Sequence, residues 1–542
     1  MASYSVRSES AGILHGRLLD GGKIDFPESF KEAAQHIRFV GGDDSSFVPT
    51  PLKMTESSSA VNALVAVAAS AVAKDRYGVD YQDIEVNTDV ATLFLMSLIL
   101  PTVNGQSVLQ HPQIVAECQK GDLYQMRKPI HRQCTNIYNT KDDRWFHLHG
   151  SMNAAHTMQM LGVSEQDVTD EEAFMIYAEK VAQWNAEDID KAANEQYRQA
   201  GVVCNTPEEF FASEHPLYRL KSYIAPRKPW PPTKNTSPPL EGIRVIDFSR
   251  VIAAPVVSKI LAVLGAEVIM VTSNTLPDIT STWVDLSTGK RDVNLDLKSQ
   301  EGLATFESLI KSSDVLIDGY RPGVLKRLGF DHDALRKINT SLIYFRENCY
   351  GFKGPFAHRS GWQQISDCLT GIAWLQGKFL GLDEPVVPLL PNSDYQMGLA
   401  GATAVIHALF LRTKGDMSFD IDISLTQYNI WYYGLGAYTP KQQEALRARN
   451  SELHLRHYDE MSSLIMKTRA AIQKCRPDIF EHPEYFQKMS GLEWGTKDDI
   501  LILIPPFKLA KSVLVYDVPS GCRGRSRPEW DSRGECPISV LK

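Results

Sequence analysis

The strongest constraint on the fold is the alternation of short apolar segments with helical segments after residue 240. Residues 243–248 read IRVIDF, an apolar run rich in β-branched residues that is typical of a buried strand. Strands separated by helices of this length form βαβ crossovers, so we predict an α/β fold with a parallel sheet covered on both faces. Further strands are predicted at 267–271, 292–297, 315–317 and 342–345, and helices at 255–264 and 300–311.

A proline-rich segment at 225–240, APRKPWPPTKNTSPPL, marks the clearest boundary along the chain. Proline lacks the N–H donor that helices and sheets need, so we predict an extended linker here. The preceding region is predicted to be mostly helical, with helices at 60–73 and 171–199 and short strands at 84–86 and 145–148. The apolar run 60–73 is shorter than a bilayer requires, which predicts a buried helix and no membrane span.

Composition excludes several classes of function. Lysine and arginine total 57 against 65 aspartates and glutamates, and this net charge of −8 argues against a nucleic-acid binder. His147 and His149, or His454 and His457, could share a face, but two histidines do not make a zinc site, so no metal is predicted. Scattered cysteines without a CxxC pair favour reduced thiols and a cytoplasmic location, with a mitochondrial location left open. These cysteines are Cys118, Cys134, Cys204, Cys349, Cys368, Cys475, Cys522 and Cys536.

Five motifs in a fixed order carry the main resemblance. The sequence lacks a phosphate-binding GxxxxGK[ST] loop, a GxSxG elbow, an HExxH pair and a complete GxGxxG. It contains LEGIRVIDFSRVIAAPVVSKILAVLGAEVIMV (240–271), STGKRDVNLDL (287–297), DVLIDGYRPGVLKRLGF (314–330), YGFKGPFAHRSGW (350–362) and LLPNSDYQMG (389–398). This series is similar to the class III coenzyme A (CoA) transferases, the CaiB/BaiF family, in a divergent or rearranged form.

The resemblance implies an open Rossmann-like sheet domain, a smaller α+β domain and an interlocked homodimer. Residues 1–224 form a region that resembles the family's post-catalytic segment, especially at 143–220, and 225–240 is the linker. The predicted catalytic domain is 241–412, followed by a divergent C-terminal region at 413–518. The polar, basic tail at 519–542 is predicted to be disordered.

Coenzyme A is a long anion, and a helix N-terminus with nearby cations suits its phosphates. The loop 249–254 follows the first strand, where open α/β sheets bind ligands. From the residues alone, solvated charges and a half-buried tyrosine would explain the same pattern. Thr272, Ser273 and Gly319 depart from the family, which puts one phosphate contact in doubt. The resemblance implies coenzyme-binding roles for Val251, Ile252, Ala253, Lys290, Tyr320 and Arg327.

Asp394 lies in PNSDYQMG, just before an apolar helical stretch that runs to about residue 411. One interpretation is a helix N-cap, whose carboxylate accepts a backbone N–H bond. The resemblance instead implies the catalytic nucleophile, which attacks an acyl-CoA and forms a covalent aspartyl intermediate. The implied reaction moves CoA from an acyl-CoA to a carboxylic acid, with the CoA thioester as substrate and no separate cofactor.

Two alternatives stay open at this point. An α-methylacyl-CoA racemase, or another acyl-CoA-converting enzyme of the same fold, needs two groups that move a proton. Trp362 stands where racemases of this family have a histidine, which favours the transferase. A non-catalytic paralogue that only binds acyl-CoA is the second alternative.

Overall fold

The computed structural model describes residues 4–210, 216–233 and 238–531. The strands are β1 Ile37–Val40, β2 Ile84–Asn87, β3 Thr102–Val103, β4 Gln106–Ser107, β5 Ile137–Asn139, β6 Trp145–His149, β7 Ala200–Val203, β8 Tyr218–Ile224, β9 Arg244–Phe248, β10 Glu267–Thr272, β11 Lys290–Asn294, β12 Val315–Asp318, β13 Ile343–Asn348, β14 Met417–Ser424, β15 Phe486–Ser490, β16 Asp499–Leu503 and β17 Phe507–Leu509. The α-helices are α1 Val6–Gly12, α2 Glu28–Ala34, α3 Met54–Tyr77, α4 Thr88–Phe94, α5 Pro112–Gln119, α6 Pro129–Arg132, α7 Ala155–Leu161, α8 Asp170–Val181, α9 Ala186–Lys191, α10 Ala253–Val263, α11 Trp283–Leu286, α12 Gln300–Lys311, α13 Val324–Arg327, α14 His332–Ile338, α15 Gln363–Leu369, α16 Ile372–Phe379, α17 Asn392–Arg412, α18 Leu425–Tyr433, α19 Pro440–Arg449, α20 Met461–Cys475 and α21 Pro477–Glu481.

A seven-stranded sheet forms the centre of the fold, in the order β11-β10-β9-β12-β13-β14-β8. All neighbours pair in parallel except β8, which pairs antiparallel with β14 at the edge. The predicted α/β class with a parallel sheet is therefore confirmed. The sheet extends beyond the predicted 241–412 domain, because β8 precedes the proline-rich segment and β14 begins at Met417.

Helices cover both faces of this sheet. Val245 and Ile246 are consecutive residues of β9, and both are fully buried. Because successive strand side chains point to opposite faces, Val245 packs into the cluster that includes α10 and α17, while Ile246 packs with Phe306 of α12. This explains the continuous apolar run that identified the strand in the sequence.

Helix α3 is the main core element before the linker, and it packs along α17. The sequence predicts a buried helix at 60–73, and burial is confirmed. The predicted length is wrong, because the helix runs from 54 to 77 and is long and apolar enough to cross a membrane. Its most apolar 18-residue window is nevertheless wholly buried inside the protein. The buried Glu56 is held by hydroxyl donors from Ser46, at 2.9 Å, and Tyr438, at 2.7 Å.

Two of the three smaller sheets join regions that are distant in sequence, and the third lies within residues 137–203. Their orders are β1-β2-β17, β15-β16-β3-β4 and β5-β6-β7, so strands after residue 485 pair with strands before residue 104. Within 1–224 the predicted strands at 84–86 and 145–148 are confirmed as β2 and β6, but β1, β3, β4, β5, β7 and β8 were not predicted. Pairing of β16 with β3 and of β17 with β2 links this region to 413–518. Strands of two to five residues have too little apolar alternation to be recognised in sequence.

The described parts of the proline-rich segment and of the tail both pack against the body of the protein. In the described part of the linker, the Tyr77 hydroxyl donates to the Pro238 carbonyl at 2.7 Å, and Trp230 Nε1 donates to Asp75 at 2.9 Å. The predicted disorder of 519–542 is wrong for 519–531. Ser520 is fully buried and donates to the Val284 carbonyl at 2.8 Å. Residues 532–542, with Cys536, lie outside the described residues.

Candidate active site

The loop after β9 forms one wall of the candidate site. Val251 in this loop has φ +70°, a left-handed conformation that is a genuine outlier for a β-branched residue. Such strained residues cluster at functional sites, where the surrounding structure holds them. Ile252 is the N-cap of α10, and Ala253 begins the helix, so their backbone groups lie at the positive end of the helix dipole.

Asp247, near the end of β9, holds this loop and the start of α10 in place through hydrogen bonds. Its carboxylate accepts a hydrogen bond of 2.6 Å from the Ser258 hydroxyl of α10 and another from Ser249. Lys290 Nζ lies 2.9 Å from Asp247 Oδ2 and also donates to the Pro255 carbonyl at 2.8 Å. Lys290 is fully buried in this ion pair and lines neither cavity described below, so its coenzyme contact stays a prediction. The sequence could not show the partner, because 43 positions separate the two residues.

Asp394 lies in the first turn of α17, which begins at Asn392 with Pro391 as its N-cap. Asp394 is therefore not the N-cap, and no hydrogen bond to its carboxylate is found within the described residues. One turn later, a Cβ on Gly398 would lie 2.6 Å from the Val256 side chain and 2.8 Å from the Ala253 carbonyl. This glycine allows the close approach of α17 to α10 that brings Asp394 to the loop after β9.

Two further acidic side chains, Glu347 and Asp367, raise the negative charge around Asp394. Burial, followed by the charge of Asp367, raises the pKa of Asp394 to about 8. Burial, followed by the charges of Asp394 and Asp318, raises the pKa of Glu347 to about 8. Burial also raises the pKa of Asp367 to about 7, although Gln363 and Asn429 donate to its carboxylate. Shifts of this kind in a cleft indicate a functional site.

Sequence reasoning missed Glu347. It belongs to β13, and its Oε1 would lie 3.2 Å from a Cβ added at Gly319. A carboxylate at the carboxyl end of a parallel strand, directly after the apolar run 342–345, was the signal that could have identified it. Gly319 has no room for the asparagine common in the family, because an added Cβ would lie 2.8 Å from Ser249 Cβ and 2.7 Å from Ala254 Cβ.

Tyr320 and Arg250 extend the same wall. Tyr320 stacks on Phe248 with ring centroids 4.2 Å apart, and the Arg250 guanidinium lies 4.8 Å from the Tyr320 ring centre. Arg250 and Arg321 form no ion pair with a carboxylate in the described part of the chain. Arg327 is exposed and lines neither of the two cavities described next, so its coenzyme-binding role stays a prediction.

Two cavities meet at Asp394. A polar cavity of about 480 Å³ is lined by Glu347, Tyr320, Arg250 and Arg321, together with the loop 251–253. An apolar cavity of about 490 Å³ lies on the other side. The two share a wall, formed by Ser151, Met152, Val251, Ile252, Pro277, Trp362 and Asp394. The structure thus brings together Asp394, Val251, Ile252, Ala253 and Tyr320 of the predicted site residues.

His149, from the region before the linker, stacks on Trp362 with ring centroids 4.9 Å apart and an interplanar angle of 5°. It lines the apolar cavity together with Asp394. Burial holds the pKa of His149 well below its usual range, so the ring is neutral. Its Nδ1 accepts the Ser151 N–H at 2.9 Å, which leaves the proton on Nε2. Sequence reasoning missed this contact, because 213 positions separate the two rings.

The described residues contain no group of three or more His, Cys, Asp or Glu side chains that could hold a metal ion.

Comparisons with known proteins place the chain in a family. The family described as CoA-transferase family III matches residues 240–461. The chain is 35% identical to the acetyl-coenzyme A transferase nodX of Hypoxylon pulicicidum, over 93% of this chain and 90% of that protein. It is 30% identical to an acyl-CoA transferase of Gibberella moniliformis, over 72% of each chain.

A solved CAIB/BAIF family protein from Brucella suis is 25% identical over 40% of this chain and 57% of its own, with a TM-score of 0.32. The resemblance predicted from the five motifs is confirmed. The chain belongs to CoA-transferase family III, the CaiB/BaiF family, and is a transferase enzyme.

Proposed function

We propose that the chain moves CoA from an acyl-CoA to a carboxylic acid through covalent intermediates on Asp394. The observation that carries the proposal is the position of Asp394, on the wall where a polar and an apolar cavity meet. A CoA thioester joins a polar, anionic half to an acyl group at one carbonyl carbon. A nucleophile for that carbon is needed where the two halves meet.

The carboxylate of Asp394 attacks the thioester carbonyl, the C–S bond breaks and CoA thiolate leaves, which forms a mixed anhydride. The thiolate then attacks the Asp394 acyl carbon and releases the donor acid, which leaves an enzyme thioester. The acceptor carboxylate attacks this thioester, and a second anhydride forms as the thiolate leaves again. Attack of the thiolate on the acceptor acyl carbon yields the new acyl-CoA and restores Asp394.

The polar cavity supplies groups that suit the coenzyme. Arg250 and Arg321 offer positive charge, and Ala253, the first residue of α10, lines the same cavity at the positive end of the helix dipole. Tyr320 offers an aromatic face beside Arg250. These groups support the predicted coenzyme-binding roles of Val251, Ile252, Ala253 and Tyr320.

The hydrogen bonding of His149 argues against the racemase alternative. The ring lies where the sequence placed only Trp362, but Nδ1 is used as an acceptor for a backbone N–H. The remaining Nε2 carries the proton and can donate a hydrogen bond, whereas a base that removes the α-proton needs a free lone pair. Deuterium from solvent is therefore not expected at the α-carbon of a 2-methylacyl-CoA.

Substitution of Asp394 tests the proposal. Asp394→Asn keeps the size of the side chain and removes the anionic oxygen, so transfer should fall by about 10³-fold or more. Mass spectrometry of the wild-type protein with acyl-CoA should find an acyl or CoA adduct on Asp394, and none in the variant. An Asn variant that folds and retains most activity, or an adduct on another residue, contradicts the proposal.

We also keep the predicted homodimer and the cytoplasmic location as proposals that rest on the family resemblance and on the scattered cysteines. Sedimentation of a dilute sample tests the dimer, since an interlocked pair has no stable free monomer. A folded monomer at low concentration contradicts it.

A further inference from the structure

The apolar cavity has a wall that suits hydrocarbon. Its volume of about 490 Å³ lies in the range of pockets that enclose a drug-sized ligand. An acetyl group would fill little of that space. Outside the wall shared with the polar cavity, the apolar lining includes Leu98, Ile99, Leu109, Met126, Ile465 and Met466.

Apart from Asp394, the charged residues that line the apolar cavity have partners within the chain or are exposed. A site for a dicarboxylic acyl group would be expected to contain a buried cation without a protein partner. Such a cation would compensate the second carboxylate when that group leaves water. Arg127 is exposed to solvent. The others have partners: Arg132 pairs with Asp170, Asp278 lies 3.5 Å from Arg523, Asp122 accepts the Met126 N–H at 2.8 Å, and Glu460 accepts the Ser462 N–H at 2.7 Å.

Two large apolar side chains on the lining are unusually exposed. Ile279 is 40% and Met466 is 44% accessible, although most side chains of this type are buried in the described residues. Both line the apolar cavity, so an apolar ligand that fills the cavity would cover them.

We infer that the transferred acyl group is a medium- or long-chain apolar one, which fills this cavity with its carbonyl carbon at Asp394. The inference rests on the proposed function and adds its substrate class. Most of the residues that give the cavity its apolar character lie before residue 240 or after residue 461, outside the segment that matches the family. The chain-length preference is therefore a property of these flanking regions.

The test compares acyl-CoA donors of increasing length with one acceptor acid. We expect kcat/KM for octanoyl-CoA to exceed that for acetyl-CoA by about 100-fold or more, since each buried methylene adds to discrimination in an apolar pocket. Succinyl-CoA should be the poorest of the three. Met466→Lys should lower kcat/KM for octanoyl-CoA by about 10-fold, and by more than it lowers kcat/KM for acetyl-CoA.

Met175→Lys is the matched control, because Met175 is 61% exposed on α8 and does not line the cavity. Met175→Lys should leave kcat/KM unchanged for both octanoyl-CoA and acetyl-CoA. Rapid transfer from acetyl-CoA or succinyl-CoA, with slower transfer from octanoyl-CoA, overturns the inference and leaves the proposed function intact. Absence of transfer and of Asp394 adducts with all three donors overturns the proposed function.

A binding measurement tests the inference about the acyl group independently of the proposed catalytic function. Asp394→Asn should bind octanoyl-CoA at least about 10-fold more tightly than acetyl-CoA, because the apolar wall does not depend on the nucleophile. Equal affinities for the two esters contradict the inference whatever the outcome for catalysis.

Discussion

Lys290 forms a buried ion pair with Asp247, and substitution of Lys290 can distinguish a structural role from a role in coenzyme binding. Lys290 Nζ lies 2.9 Å from Asp247 Oδ2, and both side chains are inaccessible to solvent. Lys290→Met removes the cation and leaves Asp247 charged and buried, which should cost about 3–5 kcal/mol of unfolding free energy. If Lys290 were a coenzyme-binding residue on a cavity surface, its substitution would lower the unfolding free energy much less, because solvent could reach the site.

The assay is denaturation with urea, followed by steady-state kinetics on the variant. Lys290→Met combined with Asp247→Asn should be less destabilised than the sum of the two single variants, because the uncompensated charge is then gone. Stability within about 1 kcal/mol of wild type, together with a large rise in KM for acyl-CoA, would refute the structural role and support Lys290 as a coenzyme contact.

Three other predictions follow from contacts around the site and at the tail. The Asp394 carboxylate must be ionised to attack, and its pKa is raised to about 8, so activity should rise with pH up to about 8. Asp367→Asn removes a neighbouring negative charge, so the same rise in activity should occur at lower pH. Gly398→Ala should cost about 1–3 kcal/mol of unfolding free energy and lower kcat, because the added Cβ displaces Val256 or the Ala253 carbonyl. Ending the chain after residue 518 removes the buried Ser520 contacts and should lower the thermal midpoint, whereas an unchanged midpoint would support a disordered tail.

The sheet and the position of Asp394 could be predicted because their signals are local. A β-branched apolar run predicts a strand such as β9 without knowledge of its neighbours, and the loop that follows it falls at the ligand-binding edge of a parallel sheet. The motif around Asp394 likewise contains Gly398, the residue that permits its packing. These features are specified by adjacent residues.

The rest of the site depends on contacts between distant residues. Lys290 reads as a free cation in sequence, and only the fold shows that Asp247 is beside it. His149 and Trp362 stack although they come from different regions of the chain. The apolar cavity draws its wall from segments before and after the matched family region, so no local pattern could predict it.

The pairing of α3 with α17 has a consequence for how the chain is made. Helix α3 is complete at residue 77, but its packing partner ends at residue 412. At a synthesis rate of ~5–20 residues per second, the ribosome needs on the order of 20–70 s to supply that partner. During this time a helix as apolar as a membrane span lacks its largest native packing partner, although α1, α2 and α4 are already synthesised. We therefore expect nascent chains to be clients of ribosome-associated chaperones, and the yield of folded protein to rise when such a chaperone is coexpressed.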